Sequence, residues 1–148
     1  MRRHPCLSLA AALLAALLLA QSAIAGTPKK GGSYRGAVAA PRTSIAVTFH
    51  VSASGAKVSA LKISNMPIYC SGGGPPVPIT FKSARVAKGK FKSTGKQTIS
   101  VGPKKGQTGA TLSITGTFGR RGKESGKLTI KYASAPTCGG TSTYTTHA

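Results

Sequence analysis

The chain has 148 residues, of which 21 are Lys or Arg and only one is acidic, so its formal net charge at pH 7 is +20. That single carboxylate, Glu124, excludes sites that need several carboxylates: glycosidase pairs, aspartic dyads and acidic Ca²⁺ loops, and it leaves no Asp for a Ser-His-Asp triad. The length fits one domain with one core. We therefore expect a basic protein that is not an enzyme.

The N-terminus has the pattern of a secretory signal peptide. A positively charged start precedes an apolar run from Leu7 to Ala20, and Ala23-Ile24-Ala25 is a small-residue cleavage site. The run is shorter than the roughly 20 apolar residues that span a bilayer, which disfavours a membrane anchor. We expect residues 1–25 to be removed, and the mature protein to be extracytoplasmic, either secreted or held in the cell envelope, with no transmembrane segment.

The next residues, 26–33, contain Lys29 and Lys30 but no apolar anchor, which predicts a flexible basic tail. The remaining residues, 34–148, are predicted to form the single domain. They hold Cys70 and Cys138, the two cysteines left after the signal is removed. An even number of cysteines in an exported chain favours a disulfide. In the chain-entropy model this disulfide would stabilise the folded state by about 4 kcal/mol. Two free thiols are the alternative.

Apolar residues in the predicted domain recur with a period of two, which indicates β-strands rather than helices. The inward-facing sets are predicted to be Ile45, Val47, Phe49 and Val51; Ala110, Leu112, Ile114, Gly116 and Phe118; and Leu128, Ile130 and Tyr132. Weaker strand signals lie at 58–63, 77–81, 86–91, 98–101 and 141–146, and Gly- and Pro-rich turns separate them. This spacing predicts an all-β fold, an antiparallel β-sandwich or flattened barrel of about eight strands.

Several short motifs carry a resemblance to a family. They are Tyr34-x-Gly36, Gly89-Lys90-Phe91, Gly116-x-Phe118, Ser125-Gly126-Lys127-Leu128 and Cys138-x-Gly140. The chain resembles a group of small secreted bacterial proteins that read Y-x-G, G-K-F, G-x-F, S-G-T-L and C-x-x-G, followed by a tryptophan. This resemblance implies a disulfide-tied β-sandwich and supplies no catalytic residues. The chain departs from the pattern in having Tyr144 in the tryptophan place and in being more basic.

The positive charge is the feature with functional content. Lys88, Lys90 and Lys92 alternate along one predicted strand, flanked by Arg85 and Lys96, so they would project from one face about 6–7 Å apart. Such an array attracts extended anions such as teichoic polymers, acidic polysaccharides or anionic lipid. The other interpretation is a solvated edge strand that lysines protect from pairing. The apolar residues opposite are out of register, which predicts a bulge near Gly89.

Other ligands are less favoured. Nucleic acid is disfavoured because the chain has no Trp, four Tyr and four Phe, and because the phenylalanines fit the core rather than a stacking platform. The set His50, Met66, Cys70 and His147 contains blue-copper ligand types, but not the single Cys-His-Met loop of such sites, and His50 is predicted to face outward. We predict no metal and no cofactor.

Two non-catalytic interpretations remain after these exclusions. The first is a module that binds an anionic cell-envelope polymer through Arg85 to Lys96. The second is a structural or protein-interaction module whose charge is incidental. An enzyme is disfavoured because a nucleophile, its base and an orienting acid cannot be assembled from this composition.

Overall fold

The computed structural model describes residues 25–39, 44–66, 77–101, 106–133 and 139–148, with backbone alone at 96–101 and 106–108. Nine strands lie in this part of the chain: β1 Ser33–Val38, β2 Ala46–Val51, β3 Lys57–Met66, β4 Val77–Thr80, β5 Ala84–Arg85, β6 Lys90–Val101, β7 Gly106–Phe118, β8 Lys123–Tyr132 and β9 Gly140–His147. The described residues contain no helix long and apolar enough to cross a membrane.

All strand pairs in the sheet are antiparallel, and the strand order is β4-β3-β2-β1-β9-β8-β7-β6, with β5 paired to β3. The sheet curls until its two ends meet. At that seam the Ser93 hydroxyl of β6 donates to the Lys82 carbonyl beyond β4, at 2.7 Å. A tight turn links β5 to β6 and joins the two ends of the sheet more closely there. The fold is a nearly closed, barrel-like antiparallel sheet.

The predicted core sets are confirmed. Within the described residues, all of the predicted inward apolar side chains on β2, β7 and β8 are buried, and residues between them face outward. Strand β1 was not predicted, although Tyr34 and Val38 on it are buried. The alternation of apolar and polar residues is weak in this strand, because Gly36 has no side chain and Ala37, which faces outward with Arg35, is apolar.

An aromatic cluster fills one end of the interior. The rings of Tyr34 and Phe49 are stacked, with centroids 4.7 Å apart and planes inclined by 7°. Phe118 lies edge-on to Tyr34 at 5.4 Å, and Phe91 lies 5.7 Å from Phe118. Each such pair contributes about 0.5–1.5 kcal/mol beyond its buried area. Because the four rings come from β1, β2, β6 and β7, they tie opposite walls of the sheet together.

The segment predicted to be a flexible tail lies across this end of the sheet. Gly26 N–H donates to the Phe118 carbonyl, and Gly31 N–H donates to the Ser52 carbonyl at 3.1 Å. Pro28 is buried, and Lys29 N–H donates to the Tyr34 hydroxyl at 2.9 Å. The segment therefore covers the aromatic cluster from the solvent side.

The prediction of a bulge within one continuous strand at Gly89 is wrong. Lys88 and Gly89 both have positive φ, 50° and 68°, and Ala87 and Lys90 exchange backbone hydrogen bonds of 2.9 and 3.0 Å. These are the features of a two-residue type I′ hairpin turn. Lys88 is therefore in a turn, and β6 begins only at Lys90.

Two further predictions concern residues outside the described ranges. The apolar run of the signal peptide, Leu7 to Ala20, is one of them. Cys70 and Cys138, with their disulfide, are the other. Both stay predictions.

Gly116 offers a test of the interior packing. A Cβ placed on Gly116 would overlap the Phe91 ring and the Glu124 Oε1 atom, whereas a Cβ on Gly109, in the same strand, meets nothing within 4 Å. We expect Gly116→Ala to lower the free energy of unfolding by about 1–3 kcal/mol through overpacking. Gly109→Ala should be neutral or slightly stabilising. Urea unfolding of both variants measures this, and equal midpoints would contradict the packing described.

Candidate functional site

The five cations predicted as an anion-binding array lie on three different elements. Arg85 is exposed on β5, and Lys88 is exposed in the following turn. Lys90 and Lys92 are exposed on β6, between buried Phe91 and Ser93. Lys96 is also on β6, four residues beyond Lys92, and only its backbone is described. The structure therefore keeps Lys90 and Lys92 on one outer face of β6 and places Arg85 and Lys88 on the adjoining strand and turn.

The register of the sheet adds lysines that the sequence analysis did not include. Lys123, Lys127 and Lys131 on β8 are all exposed, because a spacing of four residues in a strand returns each side chain to the same face. Lys92 pairs with Thr115 on β7, and Thr115 pairs with Lys127 on β8. The repeat K-x-x-x-K-x-x-x-K was present in the sequence and could have predicted a shared face.

Hydroxyl side chains fill the strands between and beside these lysines. On β7 they are Thr111, Ser113, Thr115 and Thr117, and on β9 they are Thr141, Thr143 and Thr145. Thr115 lies between Lys92 and Lys127, and Thr143 pairs with Lys127 on its other side. We call the outward side chains of β6, β7, β8 and β9 the lysine–threonine face.

The centre of this face is slightly concave. A depression of about 460 Å³ lies over Gly126 and is lined by Thr115, Lys127, Thr143 and Thr145, among others. Gly126 cannot carry a side chain here, because a Cβ would overlap the Thr115 carbonyl and lie 2.7 Å from the Tyr144 hydroxyl. The missing side chain would point inward, toward Tyr144, and the backbone of Gly126 forms part of the floor of the depression.

The one acidic side chain is absent from this face. Glu124 is on β8 but points inward and is fully buried. Its Oε2 accepts a hydrogen bond from the Thr146 hydroxyl at 2.6 Å, and its Oε1 lies 2.8 Å from the Tyr144 hydroxyl. Because the only side-chain carboxylate is inside, the lysine–threonine face carries cations and hydroxyls without a neighbouring acidic residue.

Burial raises the pKa of Glu124 from 4.5 to about 7, although the hydrogen bonds from Thr146 and Tyr144 act to lower it. The Tyr144 hydroxyl also lies 3.1 Å from the Thr115 carbonyl. A protonated Glu124 can donate a hydrogen bond to the Tyr144 hydroxyl, which can then donate one to the Thr115 carbonyl. With Glu124 neutral, all three hydrogen bonds of Glu124 and Tyr144 can therefore form together. Burial and the neighbouring carboxyl raise the pKa of Tyr144.

The structure places the residues of the rejected metal set apart. His50 lies on the outer side of β2, half-buried, with its Nδ1 3.4 Å from the Ser33 hydroxyl. Met66 faces inward and is buried, and His147 is exposed near the end of β9. Cys70 lies outside the described residues. No group of three or more His, Cys, Asp or Glu that could hold a metal occurs in the part of the chain that the structure describes.

Comparison of the chain with protein-family models, curated proteins and solved structures finds no match.

The raised pKa of Glu124 predicts how stability depends on pH. Since its folded pKa of about 7 lies above the ordinary 4.5, the contribution of Glu124 to stability is complete below about pH 4.5 and is lost as the pH rises through 7. The loss is about 3 kcal/mol, at 1.36 kcal/mol per pKa unit. Glu124→Gln keeps the shape without titrating and should remove this loss.

Urea unfolding of the wild type and of Glu124→Gln between pH 4 and pH 8.5 measures the effect. Because both proteins contain the same histidines, the difference between the two curves isolates the contribution of Glu124. Parallel curves across that range would show that Glu124 has the same pKa in the folded and unfolded protein, and would contradict the raised pKa.

Proposed function

We propose that this protein is an exported, non-catalytic module that binds anionic polymers through the lysine–threonine face. The observation that carries the proposal is the position of Lys123, Lys127 and Lys131. They stand on β8, which is paired on both sides, to β7 and β9. Lysines there are not needed to protect a sheet edge, so their shared outward direction calls for another explanation.

The electrostatics of the face support the same proposal. Lys90, Lys92, Lys127 and Lys131 are exposed on the same outer face, and the one acidic residue is buried. A like-charged surface of this kind raises the local concentration of polyanions and speeds their association. Releasing the counterions of the polymer adds a favourable free energy that falls with salt.

The position of β6 supports the other interpretation, in which lysines protect a sheet edge from pairing. Strand β6, with Lys90 and Lys92, stands at one end of the strand order, and β4, at the other end, carries Pro78, which has no N–H to offer. These residues keep the seam from pairing with another chain. The alternative function, a structural or protein-interaction module, therefore explains the β6 lysines but leaves those of β8 unexplained.

A charge-matched comparison tests the proposal. Lys90, Lys92 and Lys127 would be replaced by Ser in one variant, and Lys30, Lys57 and Lys62 in a control that lies on the N-terminal segment and β3. Binding to immobilised heparin would be measured from low to physiological salt. Each lost contact with a flexible polyanion reduces the salt slope by about 0.7, so the first variant should lose about 2 units. The control should keep its slope.

Equal losses in the two variants would mean that net charge alone holds the polymer, and the proposal would be wrong. Both variants should fold, since substitutions of exposed residues change stability by about 0.5 kcal/mol or less. Urea unfolding at one pH checks this before binding is compared.

A further inference from the structure

The spacing of cations on the lysine–threonine face says which polyanion it fits. Lys92 and Lys127 are two strands apart, which places their α-carbons about 9–10 Å from each other. Along β8, Lys123, Lys127 and Lys131 recur every four residues, or about 13 Å. Duplex DNA, in contrast, carries one charge per about 1.7 Å of its axis. Cations this sparse match a polymer whose anionic groups are separated by uncharged groups.

Hydroxyls occupy the spaces between the cations. Thr115 stands between Lys92 and Lys127, and Thr143 stands beyond Lys127. In the adjacent row, Lys90 is followed by Thr117, Ser125 and Thr145. A threonine hydroxyl donates one hydrogen bond and accepts two, which is also the capacity of a sugar hydroxyl. The face therefore offers partners to the uncharged groups of a polysaccharide as well as to its charges.

The aromatic residues are not available as a sugar platform in the described part of the chain. Tyr34, Tyr132 and Tyr144 are buried, and so are all four phenylalanines. Recognition by ring stacking is therefore not offered by these side chains, and ion pairs and hydrogen bonds must supply the affinity. A neutral sugar chain would leave the lysines unpaired.

We infer that the ligand of the lysine–threonine face is an acidic polysaccharide that lies across strands β6 to β9 and keeps free hydroxyls between its carboxylate or sulfate groups. The inference rests on the proposed function. The row Lys92, Thr115, Lys127, Thr143 holds its anionic groups at the lysines and its sugar hydroxyls at the threonines. The depression over Gly126 lies between this row and the adjacent row that begins at Lys90, and it receives part of a sugar ring.

The test separates hydrogen bonding to the hydroxyls of the polymer from attraction to its charges. Polygalacturonate carries carboxylates and hydroxyls, and polyacrylate carries carboxylates without hydroxyls. The variant Thr115→Val, Thr143→Val keeps the shape and charge of the face and removes two hydroxyls. Losing two hydrogen bonds of about 0.7 kcal/mol each corresponds to a loss of about tenfold in affinity for polygalacturonate. Affinity for polyacrylate should not change. Thr27→Val, Thr48→Val, on the N-terminal segment and β2, is the matched control and should change neither affinity.

Two double variants with the same net charge test whether the polysaccharide lies across the strands or along β8. Lys92→Ser, Lys127→Ser removes a pair across the strands, and Lys127→Ser, Lys131→Ser removes a pair along β8. The first should weaken polygalacturonate binding several-fold more than the second. Equal weakening would contradict the direction proposed.

Two other outcomes would show whether the inference about polysaccharide or the proposed polyanion binding is wrong. If the valine variant binds both polymers as the wild type does, or loses both equally, the inference about polysaccharide is wrong while polyanion binding stands. If neither polymer binds in a way that depends on Lys90, Lys92 and Lys127, the proposed function itself is wrong.

Discussion

The alternation of side chains along paired antiparallel strands is the constraint on which this structure depends. Each step along a strand moves the side chain to the other face, and pairing keeps neighbours on the same face across the sheet. Apolar residues such as Leu112 and Ile130 therefore fill the interior, and lysines and threonines between them collect outside. One geometric rule thus builds both the core and the lysine–threonine face. A slip of one residue in β8 would bury three lysines.

Glu124 places a carboxyl group inside the core, and the residues around it fit closely against that group. A Cβ on Gly116 would overlap its carboxyl, and the hydroxyls of Tyr144 and Thr146 contact its two oxygens. Charging a buried carboxyl is costly, so the site favours the neutral acid at and below neutral pH. Keeping this group inside also keeps negative charge off the face that is proposed to bind polyanions. Core packing and surface electrostatics are in this way linked through one side chain.

The position of β8 in the sheet distinguishes what each functional interpretation explains. Lysines on β6 alone fit an edge that avoids pairing, because β6 ends the strand order. Lysines on β8 lie two strands inside that edge and share the outward direction of Lys92 across Thr115. A polymer that crosses the strands contacts both sets, whereas a protein strand added at the seam would contact only the first. The lysine–threonine face is therefore two-dimensional rather than a single line of charges.

The sequence by itself determined the fold class and the inward residues of β2, β7 and β8, because a period of two is a local property that each strand carries alone. It did not reveal β1, whose short run around Gly36 alternates weakly, nor the turn at Lys88 and Gly89, where a lysine adopts positive φ. Only the tertiary structure decided that Lys127 stands in line with Lys92 and that Glu124 meets Tyr144 and Thr146. Strand order and register join residues far apart in the chain, and no local pattern of side chains encodes such pairings.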